Sequence, residues 1–153
     1  CPFSSECKAL ELNKISLLPV KAKKLIKSER HFHYFVLFDA KDIYIKQRTA
    51  NDIWKGLFEF PVFESPQSTV NSQQIVSHPY IKKYGEPSTI DCRLSYKQTL
   101  SHQYINGHFY EIKLGKLPKL DKTHLKIPKN TILNYAFPKI VRSYLEDRLN
   151  FLT

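Results

Sequence analysis

Hydrophobic and polar positions alternate most regularly between residues 90 and 114. Ile90, Cys92, Leu94 and Tyr96 take one phase and Asp91, Arg93, Ser95 and Lys97 the other, so the spacing predicts a strand with one buried and one wet face. If the extension continues, Leu100 and His102 follow the apolar phase and Ser101 the polar one. Tyr104 to Leu114 predicts a second long strand, with Tyr104, His108, Tyr110, Ile112 and Leu114 in phase. Earlier, His31 to Phe38 is β-branched and aromatic, Asp39-Ala40-Lys41-Asp42 has turn chemistry, and Ile43 to Arg48 alternates again, which together predict a β-hairpin. In its second strand Ile43 and Ile45 share one face, and Tyr44, Lys46 and Arg48 share the other. Trp54 to Pro61 reads as a short strand approach ended by proline. Residues 68–77 have the composition of a short polar helix interrupted near Pro79, and Gly85 to Ser88 that of a turn. Lys113 to Lys129 reads as a loop with prolines at 118 and 128. Pro138 suits the first turn of a helix reaching about Asn150, with Ile140, Val141, Tyr144, Leu145 and Leu149 as its apolar stripe. Strands followed by a C-terminal helix predict an α+β fold with a mixed or antiparallel sheet.

Composition narrows the class. At 153 residues the chain is expected to form one domain, with enough core to need no disulfide or metal. Hydrophobic residues at 42% and only 4 Gly exclude collagen-like and disordered chains. No stretch of roughly 18 apolar residues occurs, so no membrane helix is expected. Three cysteines cannot pair completely, which argues against a secreted disulfide scaffold. A chain that opens at Cys1 and contains no Met reads as an excised fragment. The formal net charge of +10 favours a polyanionic partner, nucleic acid or an acidic membrane surface, with plain solubility as the blander explanation. The charge is not spread evenly. Between Lys14 and Arg30, Lys14, Lys21, Lys23, Lys24, Lys27 and Arg30 face a single acid, Glu29; the segment reads as an arm lying on something negative, or as a solvated linker. The loop from 113 to 129 carries Lys113, Lys116, Lys119, Lys122, Lys126 and Lys129, and both segments would suit phosphate contacts.

Three residue sets carry a family resemblance. Cys1-Pro2 with Cys7, followed by Leu18-Pro19-Val20-Lys21, is similar to the end of an iron–sulfur loop entering a linker. Gly56-Leu57-Phe58-Glu59-Phe60-Pro61, preceded by Arg48 and Trp54, resembles the signature of Nudix-type folds. Leu100-Ser101-His102, with His108-Phe109-Tyr110 after it, resembles the Phe-Ser-His recognition segment of one such domain. In this order they resemble the C-terminal part of a MutY-type adenine DNA glycosylase, a family that removes adenine mispaired with 8-oxoguanine. The resemblance implies an iron–sulfur loop end at 1–13, a basic interdomain linker at 14–30 and a Nudix-like recognition domain at 31–153. It implies a 4Fe–4S cluster in the intact parent, with Cys1 and Cys7 as two of its ligands, and none in this stretch alone, because the other two thiolates would lie upstream. Cys92, on an apolar phase, reads as a buried small hydrophobe. The implied partners are duplex DNA with 8-oxoguanine:adenine mispairs and the catalytic domain of the same chain, with no membrane; the implied setting is a monomer in a bacterial cytoplasm, associated with the nucleoid.

Two enzymatic chemistries lack their parts. Nudix hydrolases resemble one another in an Arg-Glu-x-x-Glu-Glu helix whose carboxylates hold Mg²⁺. Here Ser65 to Gly85 contains no Asp or Glu, and Pro61-Val62-Phe63 stands where paired glycines are usual, so a Nudix-like fold without a functional Nudix box is expected. Base excision needs an acid and a carboxylate, and the resemblance places both upstream; Glu146-Asp147, adjacent on a helix, do not face each other. No catalytic residue is therefore expected in this stretch. A degenerate Nudix nucleotide hydrolase and a basic protein-interaction module are the alternatives.

The candidate reading residues are Leu100, Ser101 and His102. 8-Oxoguanine carries a hydrogen on N7 where guanine offers only acceptors, so an acceptor placed there favours the lesion. A Ser101 hydroxyl or a neighbouring main-chain carbonyl can be that acceptor, and His102 can brace it or bond a phosphate. The plainer reading is an ordinary strand end. Lys21, Lys23, Lys24 and Arg48 are the expected DNA-phosphate contacts. The histidines at 31, 33, 78, 108 and 124 read as surface or packing residues.

Overall fold

The computed structural model describes residues 1–18, 20, 26–65, 89–117 and 119–152, with backbone alone for 89–93 and 149–152. Its centre is a mixed sheet of seven strands: β1 (Ser28–Phe38), β2 (Asp42–Gln47), β3 (Phe58–Glu59), β4 (Val62–Ser65), β5 (Thr89–Thr99), β6 (Gln103–Lys113) and β7 (His124–Pro128). The path runs β3-β2-β1-β6-β5; β4 also pairs with β1 and β7 with β2. The β1–β6 pair is parallel from Ser28↔Gln103 to Phe38↔Lys113, and every other pair is antiparallel. A short helix α1 (Lys8–Glu11) lies in the exposed head, and α2 (Lys139–Leu152) packs on the sheet. No helix among the described residues is long and apolar enough to cross a membrane.

The expected hairpin forms because Asp39 folds back on its own turn. Its Oδ1 accepts from the amides of Lys41 and Asp42 at 2.9 and 2.8 Å, a side-chain mimic of a backbone turn. Alternation then separates two cores. Phe32, Tyr34, Val36, Ile43, Ile45, Ile105 and Phe109 face α2, whose Ile140, Val141, Tyr144 and Leu145 complete the first cluster. Phe35, Leu37, Tyr44, Tyr110, Ile112, Leu114 and Leu117 form the second, on the opposite face. Helix α2 comes close because β6 carries Gly107, where a Cβ would stand 2.9 Å from Ile140 Cδ1. Tyr144 stacks on Phe109 with centroids 4.3 Å apart and donates to buried Glu111 at 3.0 Å. Arg148 bonds both oxygens of Glu111, at 2.7 and 2.8 Å, so charge and stacking together hold the helix in register.

Four sequence expectations need correction. The run 14–30 is not linker to its end, since Ser28–Arg30 already pair with β6. The phase of 90–97 is not continuous: a bulge between Asp91 and Arg93 makes Ile90 pair with Ile112, of the second face, and Leu94 with Phe109, of the first. The strand does not extend through Leu100 and His102 but reverses there, with Leu100 N donating to Gln103 O at 2.8 Å. The stretch 113–129 is not all loop, because His124–Pro128 pairs with Asp42–Lys46 of β2. The helix starts at Lys139, with the Pro138 carbonyl accepting from Arg142 at 2.9 Å. The proposed helix at 68–77 and turn at 85–88 lie outside the described residues.

Candidate nucleic-acid interface

The reversal between β5 and β6 is a four-residue tip, Leu100–Gln103. Leu100 is half-buried against the first core cluster, which anchors the tip, while Ser101 and His102 are exposed. Neither exposed side chain bonds another described residue. The strand that follows the basic arm braces the tip from the side. Ser28 N donates to His102 O at 3.1 Å, and Lys27 Nζ donates to Leu100 O at 2.8 Å. The main-chain carbonyls on either side of Ser101 are therefore both engaged from within the protein, and the acceptors left at the tip centre on Ser101 itself.

Beside the tip, Tyr104 exposes 36% of its surface, far more than the other aromatics of β6. Two ammonium groups lie over its ring, Lys27 Nζ at 5.2 Å and Lys97 Nζ at 5.0 Å from the centroid. Each contact is worth about 0.5–1 kcal/mol at an exposed site. Both ammonium groups thus stand by the ring, that of Lys27 also bonded to the Leu100 carbonyl, next to a Ser101 hydroxyl with no partner among the described residues and an exposed His102 imidazole. No local sequence pattern marks Lys27, Lys97 and Tyr104 as a group. Alternation along β5 and β6 places Lys97 opposite Asn106 and so on the face of Tyr104, but the parallel pairing that brings in Lys27 has no local signature.

Arg48 sits elsewhere and does a different job. It is 9% exposed, and its guanidinium donates to Glu59 at 2.6 Å, to Asp52 at 3.1 Å and to the Ile53 carbonyl at 3.1 Å, above the ring of Phe32. A guanidinium spent in this way has little left for a phosphate. Arg30 completes the network, bidentate to Glu64 at 2.6 and 2.8 Å and to Asp52 at 3.0 and 2.7 Å. These bonds, to Glu64 first and Asp52 second, raise the Arg30 pKa further. The Arg30 bond holds the Asp52 carboxyl down at about 2, against the opposing effect of burial. Burial pushes the Glu59 carboxyl up, with Arg48 opposing it. A cavity of about 670 Å³ is lined in near neutrality by the carboxylates of Asp52, Glu59 and Glu64 and the cations of Arg48, Lys122 and Lys46, the last at 3.9 Å from Glu59.

The remaining candidates divide. Lys21, Lys23 and Lys24 lie outside the described residues. Cys1 is exposed and Cys7 half-buried, both as free thiols, with Cys7 immediately preceding α1. Cys92 falls at the β5 bulge. Among the described residues no group of three or more His, Cys, Asp and Glu is placed to hold a metal ion. Three histidines do meet on the second face: His108 stacks on His33 at 4.9 Å and on His31 at 5.7 Å, and its Nδ1 lies 2.8 Å from Ser95 Oγ. They are buried packing residues, one of the two roles the sequence allows them; His78 lies outside the described residues.

Comparison with known proteins matches residues 33–147 to the family model of the NUDIX domain. Among solved structures, the C-terminal domain of mouse MUTYH, determined in complex with human PCNA, superposes with a TM-score of 0.60 at 15% identity, over 78% of this chain and 89% of that one. The MutT protein of Methanosarcina mazei gives 0.57 at 15% identity over 83% and 99%. The NUDIX domain of Shewanella oneidensis NrtR, bound to ADP ribose, gives 0.58 at 15% identity over 90% and 97%.

Proposed function

The chain belongs to the NUDIX domain family, and we propose that it uses this fold to recognise 8-oxoguanine opposite adenine in duplex DNA, as the C-terminal part of an adenine-specific mismatch glycosylase. The observation that carries the reading is the Leu100–Gln103 tip: exposed Ser101 and His102, whose side chains have no partner among the described residues, flanked by Lys27, Lys97 and Tyr104. The lysines would contact phosphate, which positions the duplex without reading sequence, and Ser101 would accept the N7 hydrogen that only the lesion carries. A fold shared with the mouse MUTYH C-terminal domain agrees with this role. The arm lysines 21, 23 and 24 would add phosphate contacts. Cys1 and Cys7 would supply two of four thiolates to a 4Fe–4S cluster completed by upstream residues, and the catalytic acids would likewise come from an upstream domain.

A degenerate nucleotide hydrolase of the NUDIX fold is the alternative. It is less well supported, since Ser65–Gly85 holds no carboxylate and the adjacent Glu59 and Glu64 are bound by Arg48 and Arg30.

The test is binding of the chain to two duplexes that differ only in 8-oxoguanine:adenine or guanine:adenine at one central pair. A good base contact is worth about 1–3 kcal/mol, a preference of roughly 5- to 150-fold. Ser101→Ala should reduce the preference, and adding His102→Ala should bring it towards one, with Tm unchanged because both side chains are exposed. Equal binding of the two duplexes by the unaltered chain would end the reading.

A further inference from the structure

The sheet face that carries the second core cluster is basic at both of its ends. At one end, Tyr104 belongs to this face by alternation with Tyr110 and Ile112, and Lys27 and Lys97 sit over it. At the other, a cavity of about 570 Å³ opens over Tyr44 and Leu117, both members of the second cluster, and is walled by Lys116, Lys119, Lys126 and His124. Lys126 lies opposite Tyr44 in the β2–β7 pair, which fixes the cavity to the same face.

The cations in the cavity are not equivalent. Lys126 bonds Asp42 at 3.0 Å, and His124 lies 2.8 Å from Asp121. Lys116 and Lys119 are exposed and meet no carboxylate among the described residues. Two ammonium groups on a concave wall without counter-ions among the described residues favour an anionic ligand, and lysine serves as a point-charge binder of phosphate. The spacing between the two ends is informative as well. From Tyr104 to Leu114 the strand advances by about 33 Å at the usual rise per residue. B-DNA returns the same strand to one side after about 34–36 Å.

We propose that the cavity around Lys116 and Lys119 is a phosphodiester-binding site that grips the duplex about one helical turn from the base read at the Leu100–Gln103 tip. The assignment rests on the tip being the reading element. Its test is anisotropy with the 153-residue chain and two duplexes, of 10 and 24 base pairs, each with a central 8-oxoguanine:adenine pair. At about 3.4 Å per pair the short duplex extends roughly 17 Å from the lesion and the long one roughly 41 Å, so only the latter reaches the cavity. The variant Lys116→Gln with Lys119→Gln should lower the slope of log affinity against log salt by about 1.8 on the long duplex and leave the short one unchanged. In the unaltered chain, the long duplex alone should protect both lysines from amine-directed labelling, a readout that needs no variant to fold. An equal change on both duplexes, or none on either, would overturn the proposal. The two readings separate cleanly: a length-dependent loss without preference for 8-oxoguanine sinks the tip and spares the cavity, and a preserved preference without length dependence does the reverse.

Discussion

Replacing Arg48 by alanine is the sharpest probe of the charge network. The guanidinium bonds Glu59, whose side chain is only 2% exposed, and Asp52, which keeps Arg30 as a second partner. Removing Arg48 therefore leaves one carboxylate buried without its main cation and a second still satisfied. Breaking a buried pair on one side costs about 3–5 kcal/mol, against a total stability of about 5–15 kcal/mol for a domain. At roughly 2–4 °C per kcal/mol for a chain of this size, Tm should fall by about 6–20 °C. The loss should shrink on acidification. With Arg48 gone nothing strong opposes the burial that raises the Glu59 pKa, and a protonated Glu59 has no charge to bury. The double variant Arg48→Met with Glu59→Met should recover most of the stability, because an apolar pair of similar volume carries no desolvation cost. Thermal and urea unfolding measure all three proteins. A phosphate contact predicts the opposite pattern: Tm within about 2 °C of the parent, and a salt slope for DNA binding flattened by about 0.9. That outcome would refute the structural role argued for Arg48.

Tyr34 is fully buried, and its hydroxyl has no hydrogen-bond partner among the described residues. Tyr34→Phe should therefore stabilise the domain by about 1 kcal/mol in urea unfolding at unchanged m-value, since it removes a desolvated polar group and keeps the ring stacked on Phe109; destabilisation of that size would mean the hydroxyl is bonded. Asp52 titrates at about 2 in the folded protein against an ordinary value of 3.8, so its contribution is complete above pH 3.8 and is lost as pH falls towards 2. Asp52→Asn should flatten the pH dependence of stability in that window, and an unchanged slope would show that other carboxylates govern acid unfolding.

Local pattern was enough for elements whose signal is periodic. Ile43 and Ile45 against Tyr44, the β6 alternation and the stripe of α2 were all readable, because a side chain's face follows from a period of 2 or 3.6. So was the Gly56–Pro61 motif, whose Gly56 has φ +86°, a conformation that suits glycine. What depends on pairing at a distance was not readable. Leu125-Lys126-Ile127 looks like loop in a lysine-rich stretch, and becomes a strand only because β2 offers it a ladder. The single extra residue at Cys92 reverses the phase of Ile90 relative to Leu94, and nothing in the alternation itself marks a bulge. Arg48 reads as an exposed cation until Glu59 and Asp52 are brought to it across a loop. Lys27 and Tyr104 lie far apart in the chain, and they meet because β1 and β6 run parallel, a contact set by the closure of the whole sheet. Residue type determined which groups could bind an anion; burial and strand pairing decided which of them still face one.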